Sequence, residues 1–184
     1  MSKVIEAICE RCSVPKLMAP APTQEQLQQM LRCAVRAPDH GRLRPWRFVV
    51  LAGDALVALG NVFAETQPEA DPIKTERLKA MPLRAPMIIV AIACVDHHHK
   101  KVPAWEQVVT VGIATQHIQL AAWELGYGAM WRTGEMVDES LVKQHLNLSE
   151  NEQIVAFLYL GTPESMPSNP NNATLEGIVE YRMD

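Results

Sequence analysis

At 184 residues the chain has the length of one domain and enough material to bury a core without disulfide or metal staples. Apolar residues at 48% against 21% charged exclude a disordered chain, and a formal charge of −4 excludes a general nucleic-acid binder, so any basic site must be local. Cys9, Cys12, Cys33 and Cys94 are too sparse for a secreted disulfide framework, the start lacks a signal-peptide pattern, and the longest apolar run, Met87 to Val95, is too short for a bilayer, so a cytoplasmic protein with no membrane or nucleic-acid partner is expected.

From about Ser2 to Cys12, residues Val4, Ile5, Ile8, Cys9 and Cys12 fall on one helical face, which predicts a short amphipathic helix. Thr23 and Gln26 match a capping box, and Leu27, Met30, Leu31, Ala34 and Val35 follow at helical spacing until Pro38 forces the chain out near Arg36-Ala37. Trp46 to Leu51 reads as a strand ended by Gly53, with Asp54 as the cap of a helix carrying Leu56, Leu59 and Phe63. Gln67 to Arg84 is polar and interrupted by Pro68, Pro72 and Pro82, so it is expected to be a solvated connection or a lid, with one helix around Ile73 to Met81.

Met87 to Val95 is nearly continuous Ile, Val and Ala, the pattern of a central strand buried on both faces. His97, His98 and His99 follow, but consecutive residues point in different directions and converge poorly on one ion, so no metal site is assigned. The longest helix runs from Trp105 to about Leu125, with Val108, Val111, Thr115, Ile118, Ala122 and Leu125 on one stripe and further apolar residues around it, so it packs on several sides, in the core or against another subunit. Ala129 to Trp131 is a short strand, Val137-Asp138 opens a helix with Leu141, Val142, His145 and Leu146 inward, and Ile154 to Leu160 is a buried strand stopped at Gly161. From about residue 164 the tail is irregular, rich in Pro, Asn and Ser, and either crosses the surface or embraces a partner.

Three stretches share one character: Arg11-Cys12-Ser13, Arg36 through Trp46, and Trp131-Arg132-Thr133-Gly134. Each sets an arginine beside a hydroxyl, histidine or aromatic at the end of a regular element, which suits a phosphorylated aromatic ligand, since arginine grips phosphate in a planar fork and tryptophan walls a flat ring. These residue types equally permit Arg36 and Arg132 to be structural ion-pair partners. Cys9 and Cys12 have redox-motif spacing without the strand-then-helix context such a site needs, and read better as half-buried thiols on a helix face. Trp105 and Trp123 read as packing residues. No G-x-G-x-x-G, P-loop or H-E-x-x-H occurs.

Glu10-Arg11-Cys12-Ser13, Pro20-Ala21-Pro22-Thr23, Arg36-Ala37-Pro38-Asp39-His40 with Pro45-Trp46, Val102 through Gln107, Gly128 through Gly134 and Phe157 through Pro163 follow one another in an order that resembles the nitroreductase family of flavoproteins, specifically its small single-domain YdjA-like branch. The resemblance implies one nitroreductase-like domain over 1–184 with an α+β fold, a central, mostly antiparallel sheet flanked by helices. It implies a homodimer with FMN in two equivalent sites at the subunit interface, NADPH or NADH as donor, and a small-molecule acceptor such as a nitroaromatic or quinone. By the same resemblance Arg11, Cys12 and Ser13 match the flavin-phosphate motif, Arg36 and His40 match flavin-contacting positions, Trp131, Arg132 and Thr133 match a second such segment, and Pro45 and Trp46 approach the flavin from the other subunit. No side chain is assigned a covalent catalytic role, because flavin itself carries hydride and electrons. A flavin-binding or flavin-storage protein is the alternative.

Two positions depart from the family pattern. Pro15 stands where a basic residue is common, with Lys16 one place later, and Arg44 stands where many relatives have glutamine before the Pro-Trp pair. A cation at Arg44 facing the pyrimidine edge of the ring would favour reduced, anionic flavin and raise its potential.

Overall fold

The computed structural model describes residues 3–165 and 174–183. Its elements, in chain order, are α1 (Lys3–Glu10), β1 (Leu17–Met18), α2 (Gln24–Ala34), β2 (Trp46–Ala52), α3 (Asp54–Glu65), α4 (Pro72–Ala80), β3 (Met87–Cys94), α5 (Ala104–Glu124), β4 (Gly128–Arg132), α6 (Ser140–His145) and β5 (Glu152–Pro163). The fold is α+β, built on a five-stranded sheet whose strand pairs are all antiparallel.

β3 is the centre because its sequence allows nothing else. Every residue from Met87 to Ala93 is buried, and such a run can only sit between two covered faces. It pairs with β2 on one side and β5 on the other, and β4 pairs with the far side of β5, so β2 and β4 lie at opposite edges. Alternation along β3 then feeds two cores. Ile88, Val90 and Ile92 pack with Leu56, Leu59 and Phe63 of α3, with Leu78 of α4 and with Val142 of α6. Ile89 packs on the other face with Met30 and Ala34 of α2 and with Ala114 and Ile118 of α5, and Ala91 packs beside it with Val111 of α5.

The capping box of α2 is present in full: Thr23 N donates to Gln26 Oε1 at 2.9 Å and Gln26 N to Thr23 Oγ1 at 3.3 Å. On α5 the predicted stripe points inward at Val111, Thr115, Ile118 and Ala122. Gln107, fully buried, is satisfied by donating to Asp96 O (2.9 Å) and Val102 O (3.2 Å) and accepting from Asp96 N (2.9 Å), which ties the start of α5 to the end of β3.

Several expectations change. The apolar stripe of α1 faces outward: Ala7 is buried, whereas Val4, Ile5 and Ile8 are 65%, 52% and 56% exposed. Periodicity locates a stripe but not its cover. Cys9 is exposed and Cys12, beyond the helix end, is half-buried, while the predicted first helical residue, Ser2, lies outside the described residues. Trp105 is 66% exposed and lies outside the core rather than packed in it. Gln67 to Arg84 contains the expected helix as α4 and is largely exposed; Asp71 caps α4 through Lys74 N (2.8 Å), and α4 lies so close to α3 that a Cβ on Gly60 would strike the carbonyl oxygen of Lys79.

Asp54 is the first helical residue rather than a cap, since Gly53 precedes the helix and no side-chain cap bond forms. α6 begins at Ser140, after a 3-10 turn at Glu135–Val137, with Val142 and Leu146 inward and Leu141 and His145 outward. β5 continues through Gly161 to Pro163 because β1 pairs with its last two residues. Residues 166–173 of the tail lie outside the described residues, and 174–183 contain turns but neither helix nor strand.

Candidate functional site

The site residues fall into two groups. Arg11–Ser13 runs beside the start of β4, where Ser13 bridges Ala129 and Val14 N donates to Ala129 O at 3.0 Å. Trp131 and Arg132 end the same strand, pairing with Leu158 and Phe157 of β5. The two stretches therefore border one edge strand. Alternation sends their side chains apart: Trp131 packs on the α5 side near Gly112, and Arg132 points to the α3 side with its guanidinium 5.6 Å from the Tyr159 ring centroid. Burial pushes the Tyr159 hydroxyl pKa up, with Arg132 and Arg84 pulling it back, so the phenol stays neutral.

Arg11 Nε and Nη1 and Arg132 Nε are buried and have no hydrogen-bond partner among the described residues. Guanidinium N–H groups taken out of water without an acceptor are costly, so these atoms mark places that an oxyanion would satisfy. A cavity of about 330 Å³ opens at Arg132, walled by Phe63, Met81, Met136 and Tyr159, with Thr133 and Gly134 at its rim. An anionic, flat ligand such as FMN fits this donor set. The apolar cleft of about 450 Å³ between α1, α2 and α5 lies elsewhere and is lined by neither arginine.

The second group surrounds the loop from α2 to β2. Asp39 organises it: its Oδ1 accepts from Leu43 N at 3.1 Å and its Oδ2 from Arg44 N at 2.8 Å. This clamp holds Gly41, Arg42 and Arg44 at positive φ of 74°, 55° and 52°, a cost that non-glycine residues bear only where surroundings impose it. Thr110 Oγ1 fastens the loop to α5 by donating to Pro38 O at 3.1 Å, and His40 Nδ1 donates to Glu106 Oε1 at 2.9 Å. Arg36 and Arg44 are exposed, Pro45 is buried, and Trp46 is half-buried in the cluster that Trp131 also joins. Among the described residues neither Arg36 nor Arg132 forms an ion pair.

The nitroreductase family model matches residues 8–162 of the chain. The chain belongs to the nitroreductase family. The family is one of oxidoreductases, and the protein is an enzyme of that kind. "Putative NAD(P)H nitroreductase YdjA" of Escherichia coli (strain K12) is 37% identical over 174 residues, 91% of this chain and 92% of its own. The nitroreductase-like family protein of Bacillus cereus has the same fold, with a TM-score of 0.85 at 22% identity over 100% of this chain and 98% of its own. So does a variant of the FMN and NADPH-dependent nitroreductase NfnB of Sphingopyxis sp. strain HMH, with a TM-score of 0.78 at 18% identity over 97% and 98%.

Within this nitroreductase fold, β5 and β3 separate β4 from β2. Three strand spacings put roughly 14 Å between the two edges. Glu106, Asp39 and Tyr159 contact candidate residues or their loop without having been singled out from the sequence. All three sit in stretches that carried the resemblance, but nothing in a linear pattern marks which backbone or side chain they hold. After β3, His98 N donates to Asp96 Oδ1 at 2.9 Å, and His99 Nδ1 accepts from Val102 N at 2.9 Å. No helix of the described residues is long and apolar enough to cross a membrane.

Proposed function

We propose that the protein is an FMN-dependent NAD(P)H oxidoreductase of the cytoplasm, a single unit over 1–184 that takes hydride from a nicotinamide donor and passes it to a nitroaromatic, quinone or related acceptor in a two-step ping-pong exchange. The observation that carries this reading is the set of three buried guanidinium nitrogens, Nε and Nη1 of Arg11 and Nε of Arg132, which lack an acceptor among the described residues. The names of the relatives, NAD(P)H nitroreductase for one and FMN and NADPH-dependent nitroreductase for another, support it. Bound FMN supplies the hydride and electron chemistry, so the chain needs neither a nucleophile nor a metal.

The residues divide the work of binding and orienting. Arg11 and Ser13, with Cys12 between them, hold the phosphate. Trp131, Arg132 and Thr133 line the ring's other contacts, and Tyr159 fixes the Arg132 guanidinium from below. Glu106 sets the ring of His40, so that His40 presents Nε2 in one orientation beside Arg36. Asp39 fixes the loop that carries Pro45 and Trp46.

Two copies complete the site. Within one chain the Arg36–Trp46 group stands at the opposite sheet edge from β4, and α1 and α5 leave Val4, Ile5, Ile8, Trp105 and Val109 exposed, a face that a second copy would cover. The homodimer then places each Pro45-Trp46 loop against the partner's flavin.

Titration of the purified protein with FMN, followed anaerobically by flavin absorbance after NADPH or NADH, tests the reading. Saturation at about one flavin per chain is expected, with bleaching by a nicotinamide donor. The Arg11→Ala plus Arg132→Ala variant should lose binding by at least about 100-fold, since each charged hydrogen-bond set is worth roughly 1.5–3 kcal/mol. Binding without bleaching by either nucleotide would replace the oxidoreductase with a flavin-storage protein, and absence of binding would remove both.

A further inference from the structure

α4 carries charge that the site described above does not use. Lys74 and Arg77 stand three residues apart on one face of the helix, where like charges repel. Among the described residues neither forms an ion pair, whereas Lys79 of the same helix is neutralised by Glu76 at 2.8 Å. Both line a cleft of about 460 Å³. The carboxylate in its wall, Glu135, accepts from Gln67 Nε2 at 3.4 Å rather than from either cation.

Position gives the pair its meaning. The cleft shares Met81, Thr133, Gly134 and Met136 with the cavity at Arg132, so the two form one groove running from the flavin-side arginine out to α4. α4 is pinned, by the Asp71 cap and by its contact with Gly60, so the two cations are held at the outer end of that groove on a rigid element. Lys74 is also in the first turn of α4, where the helix field adds to its own charge.

A substrate reaching the flavin through this groove would lay an anionic group on Lys74 and Arg77. Two adjacent cations match a group of nearly two negative charges, and a phosphomonoester carries about −1.5 to −2 at neutral pH. Of the two nicotinamide donors only NADPH has one, on its adenosine ribose. We propose that Lys74 and Arg77 form the subsite for the 2′-phosphate of NADPH and make NADPH the preferred electron donor. The inference rests on the flavin oxidoreductase reading and adds the donor's identity to it.

Two measurements test it. Calorimetric titration of the FMN-loaded protein with adenosine 2′,5′-bisphosphate and with 5′-AMP, neither of which can reduce a flavin, reads the subsite without turnover. The bisphosphate should bind more tightly by about 10- to 100-fold, the value of one or two charge-assisted contacts, and Lys74→Gln plus Arg77→Gln should erase the difference. In anaerobic reduction the same double variant should raise the NADPH concentration for half-maximal rate by a similar factor, with the limiting rate little changed, and bring the preference for NADPH over NADH towards one. Lys79→Gln, on the same helix but paired with Glu76, should keep the wild-type preference.

Equal binding of the two fragments by the wild-type protein would overturn the proposal. So would a double variant that loses FMN affinity, or one that slows reoxidation by para-nitrobenzoate but not reduction by NADPH, because the cations would then serve the flavin or an acidic acceptor. Failure of both nucleotides to reduce the flavin would instead remove the oxidoreductase reading, and the fragment titration would still decide the subsite.

Discussion

Arg11 is the residue whose behaviour separates a binding role from a structural one. A guanidinium with Nε and Nη1 buried and unaccepted destabilises the ligand-free chain, so Arg11→Met should leave the apoprotein as stable as wild type or more stable by about 1–3 kcal/mol. The same variant should lose most of the stabilisation that FMN confers in thermal unfolding. A less stable apoprotein would mean that Arg11 is held by a structural partner. Arg47 and Glu152 behave oppositely, because their charges are matched. Arg47 Nε and Nη2 reach Glu152 Oε1 and Oε2 at 2.7 and 2.8 Å, and Ser149 N adds a third bond.

Arg47 thereby holds the Glu152 carboxyl down at about 2, below its ordinary 4.5. A carboxylate lowered in the folded state stabilises the fold fully above its unfolded value and loses that contribution as pH falls from about 4.5 to about 2. Glu152→Gln should therefore cost roughly 1–2 kcal/mol at pH 7 and flatten the acid limb of stability measured by urea unfolding between pH 5 and pH 2. Burial and the Glu152 carboxylate, which accepts from Cys94 Sγ at 3.2 Å, push the Cys94 thiol up to about 11. At pH 8 Cys94 should react with thiol reagents far more slowly than exposed Cys33, as quantified by mass spectrometry after timed alkylation.

At the scale of elements, the contact between α3 and α4 is the one that positions the outer end of the groove. Gly60 makes it possible, since any side chain there meets the backbone of Lys79 rather than a flexible group. Gly60→Ala should destabilise the protein by about 2–4 kcal/mol despite alanine's better helix propensity, and should push α4 outward. Denaturant unfolding measures the cost, and protection of α4 amides in hydrogen exchange reads the displacement. A neutral substitution would show that α4 yields easily, which would also weaken its role as a fixed platform for Lys74 and Arg77.

For the molecule as a whole, the exposed apolar face of α1 and α5 and the separation of the two site groups make assembly and cofactor binding one question. Ile8→Glu plus Val109→Glu places two charges on that face without touching the described core. The variant should run as a monomer in sedimentation, keep its far-ultraviolet circular dichroism, and bind FMN at least about tenfold more weakly. A monomer that retains full FMN affinity would show that one chain holds the flavin alone.

Elements whose reasons are local were legible from residue order alone. Met87 to Ala93 had to be a central strand because no exposed position suits such a run, Thr23 and Gln26 had to open α2 because they satisfy each other, and the ordered motifs from Glu10 to Pro163 carried the family likeness. Other features depend on partners distant in the chain and emerge only once it is folded. The outward turn of Val4, Ile5 and Ile8, the continuation of β5 past Gly161 onto β1, the burial of the Arg11 nitrogens and the seating of α4 against Gly60 are each set by what lies opposite, and a linear pattern records a residue's own chemistry but not its neighbour's.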